Sequence, residues 1–287
     1  MEFCARSVAI TMSKLGIIAG GGQFPVLVAE AARRHGREVV VVAHRGESAP
    51  ELEGMADHCL WVKLGQLNKL LSFFHRHGVK ECVFAGTITK TRIFRDVWPD
   101  TKALKLWSRI DIRQDDAILR AIAGLLGEEG IEVVASTIYL KELLFPQGVL
   151  SRKKPDSEQL EDIRFGWRIA RRVGELDIGQ CVVVRDRTVL AVEAIEGTDA
   201  AIRRGGELAR EKAVVVKVKK PNQDFRFDLP AIGKQTIATM LAVKASVLAV
   251  EAAQALLFDP QEMLELADRA GLVVVGVTED PDGQLRI

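Results

Sequence analysis

The sequence predicts an α/β protein made of two α/β domains, the first Rossmann-like with a parallel sheet and the second with a mixed sheet. Three observations predict it. Short apolar runs alternate with amphipathic segments through the first half, the pattern of a doubly wound sheet. A glycine cluster stands where the first apolar run gives way to a helix. The alternation stops near Phe145 in a stretch rich in Pro, Gly and charge, then resumes, and 287 residues suffice for two domains.

The elements follow in order. Lys14–Ala19 (KLGIIA) reads as a strand, Gly20-Gly21-Gly22 as a turn, and Phe24-Pro25 as the opening of a helix to His35. Glu38–Ala43 is the next strand, completing a parallel βαβ unit. A helix is expected near Leu67–His77, then a buried strand Glu81–Ala85 ending in Gly86-Thr87. Asp115-Asp116 opens a further helix and Glu132–Ser136 is a strand. Residues 1–13 are read as an extension, 14–145 as the Rossmann-like domain, 146–156 as a linker, and 157–287 as the C-terminal catalytic domain. In the second domain a helix Ser157–Val173 is expected, with Ser157 as its N-cap. A hairpin follows, Gln180–Val184 and Val189–Glu193, turning through Arg185–Thr188. A helix comes after Glu196–Asp199, then a strand Ala213–Val218. Thr236–Leu256 reads as one long apolar helix rich in small residues, Glu262–Ala270 as a helix, and Leu272–Val277 as the last buried strand.

Composition excludes several function classes. The net charge is +1, from 40 basic and 39 acidic residues, so no global field favours nucleic acid and any anion site must be local. No apolar run is long enough to cross a bilayer. The first thirteen residues lack the pattern of a signal peptide, and a start placed too far upstream or a short extension accounts for them. Four scattered cysteines, with no CxxC spacing, suit a reduced cytoplasmic protein.

The richest segment chemically is Lys217–Gly233, KVKKPNQDFRFDLPAIG. If Gln223–Leu229 is extended, Asp224, Arg226 and Asp228 project from one face and Phe225 and Phe227 from the other. Two carboxylates around a guanidinium, beside Lys219 and Lys220, suit a metal and a phosphate; a solvated, ion-paired edge strand is the other reading. Glu193, Glu196, Thr198 and Asp199 put hard oxygens on a turn that suits Mg2+, or that simply caps a helix. The glycine turn fits either phosphate or sugar binding or a tight turn, and matches neither a strict GxGxxG nor a P-loop. Gly86-Thr87 follows a strand's C-terminal end, where open α/β sheets bind ligands. Asp115 and Asp116 are a candidate binding residue and a candidate cap.

The segments KLGIIAGGGQFP, VFAGTITK, DDAILR, DIGQCVVV, VLAVEAIEGTDA and KPNQDFRFDLPAIG together resemble the LpxI-type UDP-2,3-diacylglucosamine pyrophosphatases of lipid A synthesis, in order from Lys14 to the last strand. The resemblance implies two α/β domains with the lipid held between them. It implies Mg2+-dependent hydrolysis of UDP-2,3-diacylglucosamine to UMP and 2,3-diacylglucosamine 1-phosphate (lipid X). The family's DxP aspartate falls on Asp228, with Asp224 and Arg226 beside it as further catalytic candidates and Asp228, Glu193, Glu196 and Asp199 as metal candidates. Substrate contacts are expected at Gly21, Gly22, Gly86, Thr87, Asp116, Lys219, Lys220, Gln223, Gly233 and Thr236. Ile88, Ile93, Phe94 and Trp98 are candidates for an acyl-chain or membrane-facing surface, with peripheral contact at the inner membrane and a homodimer as further expectations. The alternatives are a sugar-nucleotide transferase and a non-catalytic UDP-lipid-binding protein.

Overall fold

The computed structural model of the protein describes residues 13–88, 98–107, 117–221, 223–226 and 229–287. It divides into two compact units that break at Lys141–Glu142, with the described residues Phe225 and Arg226 grouped with the first.

In the first unit the strands are β1 (Lys14–Ala19), β2 (Glu38–His44), β3 (His58–Val62), β4 (Glu81–Ala85) and β5 (Glu132–Val133). They form one parallel sheet in the order β3-β2-β1-β4-β5. The run Val39–Ala43 is fully buried, as a strand covered on both faces requires. The helices are α1 (Phe24–Arg34), α2 (Leu52–Met55), α3 (Leu67–Arg76), α4 (Thr101–Trp107) and α5 (Ala117–Glu128). α1 buries Val28, Ala29, Ala31 and Ala32, and α3 buries Leu67, Leu70, Leu71 and Phe74. Each large apolar side chain so buried contributes about 1.5–3 kcal/mol. Strand β3 is absent from the sequence reading, because HCLWV is short and only its last residue is fully buried.

The second unit contains β6 (Gly148–Val149), α6 (Ser157–Glu175), β7 (Cys181–Arg185), β8 (Thr188–Val192), α7 (Thr198–Ala209), β9 (Val214–Lys217), β10 (Ala231–Ile232), α8 (Lys234–Ala242), β11 (Val247–Glu251), β12 (Leu256–Leu257), α9 (Pro260–Arg269), β13 (Val273–Glu279) and β14 (Leu285–Arg286). The main sheet runs β14-β13-β11-β9-β7-β8 and is mixed, with β9, β11 and β13 parallel and β7 antiparallel to both its neighbours. Ile163, Trp167 and Ala170 of α6 pack on Val182, Val184 and Val216 on one face. Ile202 of α7 and Ile237 and Met240 of α8 pack with Val183, Val215 and Leu248 on the other.

Four expectations are corrected here. The long helix over Thr236–Leu256 does not exist. α8 ends at Ala242, Lys244 takes a positive φ of 53°, and Val247–Glu251 is a central parallel strand. Residues assigned to the linker are built into the second unit, since β6 pairs antiparallel with β13 and the Val274 N–H donates to Ser151 Oγ at 2.9 Å. The N-cap of α6 is Asp156, not Ser157: its carboxylate accepts from Gln159 N–H, and the Gln159 side chain accepts from Asp156 N–H, a capping box. The described residues 223–226 are not a strand; the Gln223 N–H turns back to the Lys220 carbonyl, following Pro221.

Candidate functional site

In the first unit the order β3-β2-β1-β4-β5 reverses direction between β1 and β4, so their carboxyl ends form the switch point where open α/β sheets take ligands. Two loops meet there. The Gly20 N–H donates to the Ala85 carbonyl and the Gly21 N–H to the Thr87 carbonyl, both at 2.7 Å, and Thr87 N–H returns a bond to Gly21 O at 3.1 Å. The approach is close enough to demand glycine. A Cβ on Gly20 would lie 2.5 Å from the Thr87 oxygen. One on Gly86, whose φ is +86°, would overlap the Gly21 oxygen and lie 2.8 Å from Pro25 Cγ. Gly22 has open space around its Cβ position, so its requirement for glycine is a φ of +83° alone. The amides of Gly20 and Gly21 are therefore spent on zipping the two loops together. α1 starts directly afterwards, with Pro25 in its first turn and no acidic residue there to offset its positive end.

Beside this cradle β2 ends in His44. His44 is buried, its Nδ1 lies 2.8 Å from the Ala19 carbonyl, and Ser48 Oγ donates to the same oxygen at 2.7 Å. Burial pushes the imidazole below the ordinary histidine range, against the opposing pull of the Ala19 bond and Glu47. The neutral ring then donates from Nδ1 and leaves Nε2 as an acceptor. A surface concavity of about 560 Å³ adjoins, lined by Arg45, Glu47, Glu53 and Trp61 among others. Trp98 is exposed, with Lys63 Nζ 4.1 Å from its ring centre. Ile93, Phe94, Asp115 and Asp116 lie outside the described residues.

In the second unit the charged segment leaves β9 at Lys217, itself buried, whose Nζ donates to the Ala231 carbonyl at 3.2 Å and so ties the two ends of the segment together. The Lys219 N–H donates to Glu251 Oε2 at 2.8 Å. The Lys220 N–H donates to Gln223 Oε1 at 3.3 Å, and Gln223 is buried. Lys220 Nζ pairs with Asp177 at 2.7 Å. Asp224 is half-buried and Arg226 exposed; Asp228 lies outside the described residues. Downstream, Gly233 is the N-cap of α8 and accepts from the Thr236 N–H, with Thr236 buried.

The acidic turn is committed internally. Buried Glu193 accepts from Thr198 Oγ1 at 2.8 Å and from the Gln180 N–H at 3.3 Å. Glu196 accepts from the Ala194 N–H and pairs with Arg204 at 2.6 Å. Backbone hydrogen bonding first, then Arg204, holds its carboxyl below the usual range. The N-cap of α7 is Gly197, not Thr198 or Asp199, because the Thr198 hydroxyl is taken by Glu193. Among the described residues no three His, Cys, Asp or Glu side chains gather to hold a metal ion. Glu193 thus ties the end of β8 to the start of β7 and to the first turn of α7.

No described helix is long and apolar enough to cross a membrane.

Comparison with known proteins matches residues 14–143 to the LpxI N-terminal domain and residues 146–275 to the LpxI C-terminal domain. A Caulobacter vibrioides protein named UDP-2,3-diacylglucosamine pyrophosphatase LpxI is 35% identical over 279 residues, covering 93% of this chain and 98% of that one. Among solved structures, the biotin carboxylase domain of Hydrogenobacter thermophilus 2-oxoglutarate carboxylase is 14% identical, with a TM-score of 0.27 over 62% of this chain and 36% of that one. The structure of gox2253 is 10% identical, with a TM-score of 0.28 over 70% and 71%. Likeness that weak carries no argument, whereas the two family matches span nearly the whole chain, and the chain belongs to the LpxI family.

Proposed function

We propose that this protein hydrolyses the pyrophosphate of UDP-2,3-diacylglucosamine, releasing UMP and 2,3-diacylglucosamine 1-phosphate in lipid A synthesis. The observation that carries the reading is the end-to-end match, at 35% identity, to a protein named for that substrate and reaction. Hydrolysis adds water across one P–O–P bridge, and the obstacle is the negative charge that repels the nucleophile. Lys219, Lys220 and Arg226 supply positive charge, and Asp228 is the carboxylate that would ligate Mg2+ or accept the proton of the attacking water. The main-chain cradle at Gly20–Gly22 and Gly86-Thr87 is the neutral counterpart, suited to approach by a sugar or phosphate without side-chain obstruction. The domain roles belong to the same proposal, with the second domain as the catalytic one, as do Mg2+ dependence, a cytoplasmic location and peripheral contact with the inner membrane.

The test is incubation with UDP-2,3-diacylglucosamine, with EDTA or with Mg2+, followed by phosphorus analysis of the products. UMP and the sugar 1-phosphate are expected with Mg2+, and none after chelation. Release of UMP in EDTA removes the ion from the proposal. A sugar transferred to an acceptor in place of the free sugar phosphate would make the protein a transferase. Absence of UMP under every condition sinks the hydrolase reading.

A further inference from the structure

β9 and β11 are parallel neighbours, and Lys217 stands opposite Val250 in their register, which puts Glu251 at the carboxyl edge where the charged segment departs. Glu251 is buried, and both of its oxygens are engaged. Oε2 accepts from the Lys219 N–H at 2.8 Å, and Oε1 accepts from Arg171 Nη2 at 2.8 Å. Arg171 is itself fixed from behind. Its Nε lies 3.4 Å from Glu279 Oε2, its guanidinium carbon lies 5.2 Å from the Trp167 ring centre, and Trp167 Nε1 donates to the same Glu279 oxygen at 3.0 Å. Three elements, α6, β11 and β13, therefore converge to aim one carboxylate at one main-chain N–H.

That N–H is not a generic one. It belongs to the second residue past β9, where the chain leaves the sheet and carries Lys219, Lys220, Asp224 and Arg226 in succession. The segment has other ties: the Val218 N–H donates to the Gln180 carbonyl at 2.9 Å, Lys217 to Ala231 closes its ends, Lys220 with Gln223 shapes its turn, and Lys220 Nζ pairs with Asp177. Glu251 is the charged acceptor at the point of departure, and it is held from the far side. The Arg171–Glu251 pair is only partly buried, and such a pair adds little net stability while holding the carboxylate in one direction.

We propose that Glu251, oriented by Arg171, is a positioning residue that sets the Lys219–Arg226 segment for pyrophosphate hydrolysis, an inference that rests on the hydrolase reading. It touches no substrate atom; it acts through Lys219. The test compares Glu251→Met, which keeps the bulk and removes the acceptor, with Glu251→Gln, whose amide oxygen still accepts from Lys219. Glu251→Met should lower kcat by about 10- to 100-fold with KM changed less than threefold, as a misplacement of reacting groups by an ångström does. Glu251→Gln should recover most of that loss. Hydrogen exchange at the Lys219 amide should quicken in Glu251→Met and return toward wild type in Glu251→Gln. Equal exchange in all three proteins, or a kcat per folded molecule that Glu251→Met leaves unchanged, overturns the assignment. If Glu251→Met does not fold, Arg171→Met serves instead: it leaves the carboxylate but frees its orientation, and should lower kcat several-fold, with an unchanged kcat again overturning the role. Exchange is read without substrate, so a wild type that releases no UMP indicts the hydrolase reading separately.

Discussion

At the ends of β1 and β4 two loops meet through main-chain hydrogen bonds, and at the end of β9 a loop is held by side chains, both its own and others from outside it. The first arrangement works by omission. Gly20, Gly21 and Gly86 let two backbones hydrogen-bond face to face, and any Cβ at Gly20 or Gly86 collides with the opposite strand end. The second works by commitment. Glu251, Lys217, Gln223 and Asp177 each spend a polar group on the segment from Lys217 to Ala231. A cradle of glycines fixes shape at the expense of charge, while a clamped loop fixes charge at the expense of buried polar groups. The hydrolase reading needs both: a surface that admits a bulky sugar phosphate, and cations with a carboxylate held near the bond that breaks.

The sharpest break between the regions is expected at Asp228. Asp228→Ala should lower kcat by about 10³-fold, within the range for loss of a catalytic acid or base, while leaving the melting temperature near wild type. Steady-state turnover beside a thermal melt checks it, and normal turnover would remove Asp228 from the catalytic role. The opposite signature is expected in the cradle. Gly86→Ala combines a left-handed φ with overlap on Gly21 and Pro25, and should cost about 2–3 kcal/mol of stability. Gly22→Ala, with the same sign of φ and open space, should cost only about 1 kcal/mol. Chemical denaturation of the two variants separates crowding from conformation; equal losses would mean that the loops part easily and the zipper is weak.

The two regions were unequally legible in the sequence. The cradle announced itself, because a glycine cluster between an apolar run and a helix, and Gly86-Thr87 after another run, leave few alternatives in a parallel sheet. Its partner His44 did not, since a histidine after VVVVA carries no sign of which carbonyl it meets. In the second unit the composition of Lys217–Gly233 was conspicuous, but the clamp was hidden. An unbroken apolar stretch reads equally well as a buried helix or a parallel strand. Joining Thr236–Leu256 into one helix concealed β11, and with it Glu251 at a strand's carboxyl end. The alternation of Asp224, Arg226 and Asp228 likewise suggested a strand where the described residues turn. Pro221 and the Lys220–Gln223 hydrogen bonds decide that locally, over the period-2 pattern. Asp156 displaced Ser157 as a cap because Gln159, three residues on, completes the reciprocal pair.

A pH titration sharpens the comparison from the cradle side. Burial depresses the folded pKa of His44, so the unfolded chain binds its proton first as the pH falls. The contribution is fully present above the ordinary histidine value of about 6.5 and is lost as the pH drops from there toward the depressed folded pKa. The melting temperature should therefore fall between pH 7.5 and 5.5, and His44→Gln should flatten part of that fall. The other histidine with a depressed pKa is His77, stacked on His58, so His77→Gln is the matching control. A His44→Gln profile parallel to wild type would show that the buried ring does not contribute.

The smallest effect on stability is expected at Lys220 and Asp177, and it tests whether the clamped loop is held by charge at its rim or by the buried contacts beneath. Their ion pair is short, at 2.7 Å, but the Asp177 side chain is 46% exposed. Solvent and salt screen such a pair, so Asp177→Asn should change unfolding free energy by less than about 1 kcal/mol. The lysine ammonium is nonetheless oriented by that carboxylate, and turnover should fall modestly, within about threefold, as the head group loses its preferred direction. The two readouts diverge only if the contacts at Glu251 and Gln223 bear the weight of the fold here. A loss of several kcal/mol in Asp177→Asn would place the anchor of the segment at its surface, and would leave Glu251 as one contact among equals.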